Sequence, residues 1–430
     1  MNPNAAKPNI VVLGGGFAGL ETAYALRHAL PDRADITLVS NRRSFLFRPH
    51  TIYLPFGMDE NQLLVDIAQP ALRKGIRFIE ANVREIDPVK RAVDWEGSGA
   101  AQTELYDYLV IATGAKARIE EIPGLAEHGH LLGAAADMVR LRAGLDKLIE
   151  QAGRGRDQQI VLALPPDAPY VTPLYEMALM IEHHLREVRV RERVSITFAT
   201  CEMSLIESFG PLLHDLMLER FVERGIACET GVVLEKVEAG AAHFSNRAAL
   251  PYDLLLASPP AGASVLFPAL PAGPRGYLTT KLATRRVDGL DEVFAAGDTS
   301  DFPVKQAFLA LLQADAIAEG IAADVQGRLP RFVFEPVSKF VLEEFDTGLY
   351  AQAPFTANDG LRVEVDSPDY RAGASPLWRI GKRMLGTALP KRFGQGEPFN
   401  AGLPSAGLDL SVKILSGVAA RHRREMTSAH

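Results

Sequence analysis

An apolar run, a glycine-rich turn and an alanine-rich stretch follow one another near the start of the chain. Residues 9–22 read NIVVLGGGFAGLET, in which Gly14, Gly16 and Gly19 have the spacing G-x-G-x-x-G. In a strand–turn–helix unit the first glycine permits the tight turn, the second lets a pyrophosphate approach the backbone, and the third lets helix and strand pack closely. The helix would direct free N–H groups and a partial positive charge at the phosphates. With a second apolar run at residues 35–39, the pattern predicts a dinucleotide-binding βαβ unit rather than a βαβ turn without a ligand.

Length and composition limit the possible number of domains and the possible classes of function. The chain has 430 residues, of which 47% are hydrophobic and 23% charged, so we expect a globular protein of two or three domains. Its formal net charge of −7 gives no support to nucleic-acid binding. The sequence has no clean apolar run of transmembrane length, and its first residues lack the apolar core of a signal peptide, which predicts a cytoplasmic protein. Cys201 and Cys228 stand in no CxxC motif and beside no histidine cluster, so we expect neither a disulfide framework nor a metal site.

The end of the second predicted strand departs from the usual dinucleotide pattern. Such sites place Asp or Glu about 20 residues past the glycines, where the carboxylate binds ribose hydroxyls. Ser40 stands there instead, followed by Asn41. Either of these uncharged side chains could form a hydrogen bond with a ribose hydroxyl. Residues 44–57 then read SFLFRPHTIYLPFG, with a basic side chain at Arg48. This aromatic, proline-broken segment predicts a loop along a flat aromatic cofactor or, alternatively, an ordinary buried loop.

Two further predicted strands end in small residues. Residues 107–114 read DYLVIATG, and residues 292–298 read EVFAAGD. Small residues let the backbone approach a ligand, and Asp298 can accept hydrogen bonds from sugar hydroxyls beside a phosphate. Residues 303–310 read PVKQAFLA and open a predicted helix that reaches about residue 323. The N-terminus of that helix would direct its dipole at the cofactor.

These three motifs, in this order and spacing, resemble those of the FAD-dependent pyridine nucleotide-disulphide oxidoreductase superfamily, whose members have two dinucleotide-binding domains. The resemblance covers about residues 8–330 and implies that the cofactor of the first domain is FAD. It implies that residues of the glycine turn cradle the pyrophosphate, that Val83 contacts the adenine end and that Asp298 holds the ribityl chain. Lys305 would face the N1/O2 edge of the flavin, where a positive charge stabilises the anionic reduced form.

The complete set of expected cofactor contacts combines the glycine turn, the end of the second strand, the aromatic segment and the two small-residue strand ends. Its members are Gly14, Gly16, Phe17, Ala18, Gly19, Ser40, Asn41, Arg48, Pro49, Val83, Ala112, Thr113, Gly114, Gly297, Asp298, Lys305 and Gln306.

A second nucleotide-binding domain is expected to begin with the apolar run at residues 159–164. The next residues, 165–182, contain no glycine and several prolines, so a diphosphate could not approach that backbone in the usual way. Within them PLYEMALMI, together with residues 47–57, resembles sulfide:quinone oxidoreductases and flavocytochrome c sulfide dehydrogenases. The second domain of those families has also lost its glycine fingerprint, whereas the related type II NADH dehydrogenases usually keep it.

The resemblance to the sulfide-oxidising group is incomplete. Sulfide oxidation there uses two cysteines over the flavin, but this chain reads YVT at residues 170–172, where one would stand. Residues 250–310, which would supply the other, contain no cysteine. We expect Cys201 and Cys228 to be redox-inert, because disulfide chemistry needs two thiols within bonding distance.

The last hundred residues predict a third domain with basic amphipathic helices. Residues 331–352 indicate two strands around a turn, and residues 354–375 indicate a linker or surface excursion. Residues 376–393 contain five basic residues and no acidic one, and residues 408–424 place apolar residues at helical spacing before a basic end, RHRR. We expect Trp378, Met384, Leu385 and Leu389 to share one apolar side. Such helices suit an interfacial membrane anchor, and the alternative is packing on the protein itself or on a dimer partner.

The sequence therefore predicts an α/β fold with two Rossmann-like domains. Residues 1–115 and 275–330 would form the FAD-binding domain, residues 116–274 a second domain without a glycine fingerprint, and residues 331–430 the C-terminal domain. The predicted protein is an FAD-dependent oxidoreductase that passes two electrons to a quinone-like acceptor. It would resemble sulfide:quinone oxidoreductases but lack their cysteine pair.

Two alternatives stay open: an NAD(P)H:quinone oxidoreductase of the type II NADH dehydrogenase kind, and a non-catalytic flavin-binding regulatory protein. No side chain is assigned as a catalytic acid or base. The prediction includes a peripheral location on the inner face of the cytoplasmic membrane, with residues 376–424 at the membrane surface. It allows a homodimer and includes neither a metal nor a nucleic-acid partner.

Overall fold

The computed structural model describes residues 7–97, 101–356 and 361–399. The helices are α1 (Phe17–Ala29), α2 (Ala68–Arg73), α3 (Leu125–His128), α4 (Ala135–Gly153), α5 (Val171–Glu187), α6 (Pro211–Glu223), α7 (Ala307–Gln326) and α8 (Pro376–Gly394). The strands are β1 (Asn9–Leu13), β2 (Asp35–Ser40), β3 (Ser44–Leu46), β4 (Leu64–Asp66), β5 (Arg77–Glu80), β6 (Asn82–Asp87), β7 (Ala92–Glu96), β8 (Gln102–Leu105), β9 (Tyr108–Ile111), β10 (Ala115–Ala117), β11 (His130–Leu131), β12 (Gln158–Leu164), β13 (Val194–Thr200), β14 (Ile226–Glu229), β15 (Leu234–Glu238), β16 (Ala241–Phe244), β17 (Leu250–Pro251), β18 (Leu254–Ala257), β19 (Ala261–Ala263), β20 (Val293–Ala295), β21 (Val337–Glu343), β22 (Gly348–Thr356), β23 (Arg362–Val363) and β24 (Arg371–Ser375).

The first sheet is parallel throughout and has the strand order β20-β9-β1-β2-β5. Its central strand β1 is apolar and buried from Ile10 to Leu13, because a parallel sheet is covered on both faces. Helices α1 and α7 pack together in the core on one face of this sheet. At the carboxyl edge, Leu13 pairs with Val39 and Ile111. The glycine turn and both small-residue strand ends therefore meet at one edge of the sheet.

The second sheet is also parallel, in the order β11-β18-β12-β13-β14. Helices α4, α5 and α6 cover one face, and their apolar side chains form a core that is continuous with the C-terminal strands β21 and β22. Two parallel sheets flanked by helices confirm the predicted α/β fold. The domain boundaries given above remain predictions.

The C-terminal part is a small antiparallel sheet covered by α8. Strand β22 lies between β21 and β24 and is buried along nearly its whole length. The prediction of a linker across residues 354–375 was therefore wrong in part. Residues 371–375 pair with residues 348–352, because an apolar strand buried on both sides needs a hydrogen-bonding partner at each edge.

Helix α7 begins later than predicted, and helix α5 has a proline in its first turn. Helix α7 starts at Ala307, because Gln306 has extended backbone angles, so Lys305 lies in the preceding loop. Helix α5 starts at Val171 and includes Pro173, which the first turn tolerates because its N–H groups have no intrahelical partners. In the part of the chain that the structure describes, no helix has both the length and the apolar character needed to cross a bilayer.

Candidate functional site

A cavity of about 1270 Å³ runs from the glycine turn after β1 to the underside of α8. It brings together residues from both parallel sheets and from the C-terminal part. Every residue of the predicted cofactor set lines it except Gly19. The sequence reading did not include the far end of the cavity, which β21 and α8 form.

The glycine turn leaves space where a phosphate would need it. Gly14 has φ +113°, and a Cβ there would lie 2.2 Å from the carbonyl oxygen of Ala112. A Cβ on Gly16 would meet no atom within 4 Å, so this position opens onto the cavity. Gly19 lies behind the turn, where a Cβ would come within 1.8 Å of the Gly14 oxygen. Gly19 thus permits α1 to pack on the turn and does not itself line the cavity.

Ser40 lines the cavity, but its hydroxyl is engaged by its own turn. Ser40 Oγ donates to the Arg42 carbonyl at 2.9 Å and accepts from the Arg42 N–H at 3.2 Å. Its neighbour Asn41 is exposed at the same rim. A polar residue at this strand end therefore also stabilises the turn that leads to the aromatic segment.

Three polar side chains from separate parts of the chain meet on one wall of the cavity. Arg48 Nη1 donates to the Tyr170 hydroxyl at 2.8 Å, and that hydroxyl donates to Asp298 Oδ2 at 3.3 Å. Burial, then the charge of Asp298, raises the pKa of Tyr170, so the phenol is neutral. Sequence reading missed Tyr170 as a site residue, although it stands in the segment where the related sulfide-oxidising proteins have a cysteine.

Lys305 is a buried cation on the cavity wall. It is 8% exposed, its ammonium group donates to the Ser300 carbonyl, and it lies 4.1 Å from the ring centroid of Tyr277. Burial lowers the pKa of Lys305 to about 8, although Asp298 and Asp301 oppose this change. The two carboxylates and the Tyr277 ring stabilise the ammonium form of Lys305, so its side chain is largely protonated near neutral pH.

At the far end, α8 is attached to the body by buried ion pairs. Lys382 pairs with Glu176 on α5, and Arg379 Nε donates to Glu343 Oε1 at 2.9 Å. Tyr53 donates to the other oxygen of Glu343 at 2.7 Å. Burial raises the pKa of Glu176, although the charge of Lys382 opposes it. Lys382 and Glu176 both line the cavity.

His50 lies directly beneath α8. A Cβ on Gly386 would come within 1.9 Å of its ring, and its Nε2 has no hydrogen-bond partner within the described residues. Burial, followed by the charges of Lys382 and Arg383, lowers the pKa of His50 to about 4. The imidazole is therefore neutral and forms part of the apolar contact between the aromatic segment and the helix.

The apolar residues of α8 divide between two faces. Trp378 and Leu389 are buried, and Trp378 stacks on Tyr350 with ring centroids 4.4 Å apart. Met384 is 67% exposed and lies on an outward side with Ile380, which is 55% exposed. The prediction of one shared apolar side was therefore wrong for Met384. The physical reason is that positions 378 and 389 are separated by close to three helical turns, whereas position 384 lies off that line. The second predicted helix, residues 408–424, lies outside the described residues.

Comparisons with known proteins find a family that resembles the first part of the chain. The model of the family described as pyridine nucleotide-disulphide oxidoreductase matches residues 8–161. The sulfide-quinone reductase of Aquifex aeolicus (strain VF5) is 32% identical over 223 residues, which are 50% of this chain and 50% of that protein. Residues 8–161 of the chain are thus similar to the pyridine nucleotide-disulphide oxidoreductases.

Other members of the family are also similar to it. The external alternative NAD(P)H-ubiquinone oxidoreductase B3, mitochondrial, of Arabidopsis thaliana is 25% identical over 323 residues, covering 68% of this chain and 54% of that protein. The match to these two curated relatives thus spans about half of their length.

Solved structures of the family show the same fold. The sulfide:quinone oxidoreductase from Aquifex aeolicus superposes with a TM-score of 0.83 at 22% identity, over 94% of this chain and 95% of that one. NDH2 from Plasmodium falciparum in complex with NADH gives a TM-score of 0.66 at 15% identity, over 91% of this chain and 97% of that one.

The sequence resemblance implies FAD as the cofactor, and the cavity fits it. The open position at Gly16 and the close backbone contact at Gly14 leave room for a pyrophosphate against the turn. The long cavity extends from there past Asp298 and Lys305. A cofactor with a nucleotide at one end and a flat ring system at the other matches this shape.

The corresponding turn of the second sheet is built differently. At the carboxyl end of β12 the chain turns through Pro165 and Pro166 before α5 begins. The Tyr175 ring is fully buried and stacks on Phe198 at 4.2 Å. Its hydroxyl donates to Glu202, just beyond the end of β13, at 2.6 Å. Glu202 therefore bonds to the protein itself at the strand end where dinucleotide sites place an acid that binds ribose.

Neither cysteine is among the residues that line the cavity in the described part of the chain. Cys201 follows β13 and is half-buried, and Cys228 is exposed on β14. Burial raises the pKa of Cys201 to about 11 and also raises that of Cys228. Both shifts disfavour the reactive thiolate. Among the described residues, no group of three or more His, Cys, Asp and Glu side chains could hold a metal ion.

Proposed function

We propose that this protein is an FAD-dependent oxidoreductase that passes two electrons through the flavin to a quinone-like acceptor. The observation that carries the proposal is the shape of the cavity. One continuous space joins the glycine turn to an apolar arm lined by β21 and α8, including Leu342, Leu377 and Trp378. A cofactor and a second, flat apolar ligand can therefore lie in one cavity.

Bound FAD supplies the two-electron chemistry, and the chain's own residues bind and orient it. In this proposal Gly14 and Gly16 hold the pyrophosphate, Asp298 holds the ribityl chain, and Lys305 faces the N1/O2 edge of the ring. The remaining members of the predicted set line the rest of the cofactor. The corresponding domains are the FAD-binding domain (residues 1–115 and 275–330), the second Rossmann-like domain (residues 116–274) and the C-terminal domain (residues 331–430).

The names of the relatives support a quinone acceptor. One is called a sulfide-quinone reductase and another an NAD(P)H-ubiquinone oxidoreductase, so both names include a quinone. A quinone is dissolved in the bilayer, which suits a protein that binds the membrane surface. On α8, Leu377, Ile380 and Met384 are exposed apolar side chains, and the helix contains five basic residues and no acidic one.

An apolar strip with neighbouring cations is what an interfacial helix needs. We infer that α8 rests on the inner face of the cytoplasmic membrane and that the apolar arm opens toward the lipid. A homodimer remains a prediction.

The electron donor distinguishes the proposal from its alternatives. An NAD(P)H donor is favoured by the names of several relatives. It is disfavoured by the proline-containing turn, which lacks glycine, and by the Tyr175–Glu202 contact. A polysulfide-forming reaction is disfavoured because no described cavity residue is a cysteine. We therefore propose a donor other than these two. A non-catalytic flavin-binding regulator is the alternative from another class.

Anaerobic absorbance spectroscopy tests the proposal. The full-length protein is loaded with FAD, and NADH, NADPH and sulfide are added in turn. The protein is then reduced with dithionite, the excess is removed, and a short-chain quinone is added. We expect a bound flavin band, no rapid bleaching by NADH or NADPH, and fast reoxidation of the reduced protein by the quinone.

A pair of variants tests the apolar arm. Leu377→Trp narrows the arm and should slow reoxidation by quinone without changing FAD content. Leu329→Trp is the matched control, because Leu329 is 87% exposed and does not line the cavity. If quinone reoxidises both variants at the same rate, the apolar arm is not the acceptor site. Tight FAD binding without reoxidation by quinone would support the regulatory alternative, and the absence of any flavin band would refute the proposal.

A further inference from the structure

Arg285 is a buried cation in the loop that precedes β20. Its side chain is 1% exposed, and its guanidinium carbon lies 5.5 Å from the centroid of the Phe334 ring. Within the described residues, its Nε and Nη2 atoms have no hydrogen-bond partner. Burial of a charge with so few partners destabilises a protein. The presence of an arginine at this position therefore needs a physical explanation.

The backbone at Arg285 has an uncommon conformation. Its φ is +59°, in the left-handed region that few residues other than glycine adopt. Its N–H donates to the Lys281 carbonyl at 2.8 Å, and its carbonyl accepts from the Ala295 N–H at 3.0 Å. Ala295 belongs to β20, which ends just before Gly297 and Asp298. Backbone strain persists where the surrounding structure fixes it, and it occurs often beside functional sites.

Asp301 is the ion-pair partner of Arg285. Arg285 Nη2 lies 3.6 Å from Asp301 Oδ1. Thr280 holds both oxygens of this carboxylate: its hydroxyl donates to Oδ1 at 2.7 Å, and its N–H donates to Oδ2 at 3.2 Å. The carboxylate is therefore fixed beside the buried guanidinium group.

The loop that contains Asp301 also positions Lys305. The Lys305 ammonium group donates to the carbonyl of Ser300, the residue before Asp301. The Asp301 N–H donates to the Leu278 carbonyl at 2.9 Å, and the neighbouring Tyr277 presents its ring to the ammonium group. The place of this group on the cavity wall thus depends on a loop that the ion pair helps to hold.

The charge of Arg285 also acts on Lys305. The charged and titratable groups around Lys305 are Asp298, Asp301, Arg285 and Tyr277, with Tyr170 and Arg48 bonded in turn to Asp298. Burial lowers the pKa of Lys305 to about 8; the two carboxylates oppose this change, and Arg285 adds to it. Because Arg285 offsets the negative charge of Asp301, Lys305 can gain or lose a proton near neutral pH.

We propose that Arg285, acting through Asp301, is a positioning residue that sets the charge of Lys305 and thereby the proton uptake that accompanies flavin reduction. This inference rests on the proposed function, because it needs the N1/O2 edge of the flavin beside Lys305. Two electrons and one proton convert the bound flavin to its anionic reduced form. Where Lys305 is neutral beforehand, the new negative charge draws a second proton from water onto its Nζ atom. Transfer of the two electrons to a quinone consumes two protons and yields one quinol.

Anaerobic reductive titration of the FAD-loaded, full-length protein with reference dyes tests this inference. The midpoint potential of the flavin is measured between pH 6 and pH 9.5. Its dependence on pH should steepen near pH 8 in the wild type, from one proton per two electrons to two. Lys305→Met should abolish this change of slope, because the second proton then has no acceptor.

Two variants that break the same ion pair should move the change of slope in opposite directions. Arg285→Met removes a cation and leaves Asp301 to act fully on Lys305, so the change should move to higher pH by at least one unit. Asp301→Asn removes an anion, so the change should move to lower pH. A purely structural role of the ion pair would affect both variants in the same direction.

Arg286→Met is the matched control, because Arg286 is the neighbouring residue and pairs with Asp324 at 2.5 Å. Its change of slope should stay at the wild-type pH. If Arg285→Met fails to bind FAD, the direction of the shift in Asp301→Asn becomes the deciding result. Shifts in the same direction, no shift in the deciding variant, or a change of slope that persists in Lys305→Met would overturn this inference alone. Loss of the flavin band or of reoxidation by quinone in the wild type would refute the proposed function and this inference with it.

Discussion

The hydroxyl of Tyr175 on α5 donates a 2.6 Å hydrogen bond to Oε2 of Glu202, just past the end of β13. An acid at the end of the second strand is the residue that binds ribose in many dinucleotide sites. Here it is used inside the protein, where Thr200 and the Glu207 N–H also bond to it. The second parallel sheet thus keeps the architecture of a nucleotide-binding domain, while the acid at the end of its second strand bonds to the protein itself.

This contact leads to the first prediction, which concerns nicotinamide donors. The FAD-loaded protein should show no saturable flavin reduction by NADH or NADPH in an anaerobic stopped-flow experiment, while dithionite should reduce it fully. Tyr175→Phe should not create such a reaction, because the proline-containing turn after β12 is unchanged. Rapid, saturable bleaching of the wild type by either nucleotide would show that the crevice opens and that our interpretation of the second sheet is wrong.

The second prediction concerns the glycine turn. Gly14→Ala should abolish FAD binding and destabilise the fold, because the new Cβ would meet the Ala112 oxygen and the backbone has φ +113°. Gly57→Ala is the control, since Gly57 has φ +104° but open space around it, and it should cost about 1 kcal/mol. Flavin absorbance per protein and urea unfolding measure the two effects. A similar loss for both variants would mean that backbone conformation, and not the contact at the turn, determines the outcome.

The third prediction concerns the ion pair between α8 and α5. Lys382→Met should destabilise the protein by about 3–5 kcal/mol near neutral pH, because it leaves Glu176 buried without its cation. The folded-state pKa of Glu176 lies above its ordinary value, so folding favours its protonated form. Stability from this group is complete below the unfolded-state pKa and is lost as the pH rises through the folded-state value. The variant's loss should therefore be larger at pH 8 than at pH 5.

Urea unfolding at the two pH values measures this difference. Lys147→Met is the control, because Lys147 is an exposed residue of α4, and it should change stability by no more than about 0.5 kcal/mol. In the Glu176→Gln background the cost of Lys382→Met should shrink. An equal cost in both backgrounds would show that the two side chains do not interact.

The fourth prediction concerns Glu319, which α7 presents to Arg328 and Arg331. Burial alone would raise its pKa, but the hydrogen bonds from the two arginines outweigh burial and lower the pKa to about 2. A lowered folded-state pKa contributes stability that is present above the ordinary glutamate pKa of about 4.3 and is lost as the pH falls toward 2. Glu319→Gln should therefore destabilise the protein at pH 7, and its difference from the wild type should shrink steadily as the pH falls toward 3.

Thermal unfolding between pH 7 and pH 3 follows that difference. Glu127→Gln serves as the control, because Glu127 is exposed on α3, and it should leave the transition unchanged at every pH. If the loss of stability in Glu319→Gln is the same at every pH, packing and not charge is its cause.

The fifth prediction concerns membrane binding by α8. Ile380→Glu and Met384→Glu should each reduce sedimentation with vesicles that contain an anionic lipid, because a charge on the exposed apolar strip opposes burial among acyl chains. Val89→Glu is the control, since Val89 is 92% exposed on a turn away from α8. Binding should also weaken at high salt. Unchanged sedimentation of both α8 variants would argue that this helix does not contact the membrane.

Short-range patterns explain why much of the fold could be predicted. Strand β1, its glycine turn and α1 form a local unit in which apolar burial and backbone conformation depend on neighbouring residues. The same holds for the strand that ends at Gly114 and the one that ends at Gly297. The predicted α/β class followed from such units, and the absence of glycine between residues 165 and 182 already indicated an altered second turn.

Long-range contacts were not predictable in the same way. Residues 354–375 are rich in turn-forming residues, yet β22 and β24 pair across them because a buried strand must satisfy both edges. Met384 and Leu389 belong to one predicted amphipathic helix, but which residues of α8 face inward depends on where Lys382 meets Glu176. Periodicity describes a helix and contains no information about the partner on which the helix packs.

The sequence alone determined the two parallel sheets, the glycine turn and the candidate cofactor residues, because strand, turn and helix preferences act over a few residues. Only the tertiary structure decided that Tyr170 lies between Arg48 and Asp298, that Tyr175 bonds to Glu202 past the end of β13, and that α8 forms one wall of the cavity. Those contacts join residues 27 to 206 positions apart. Their geometry follows from the packing of whole elements around a shared core, which no local pattern specifies.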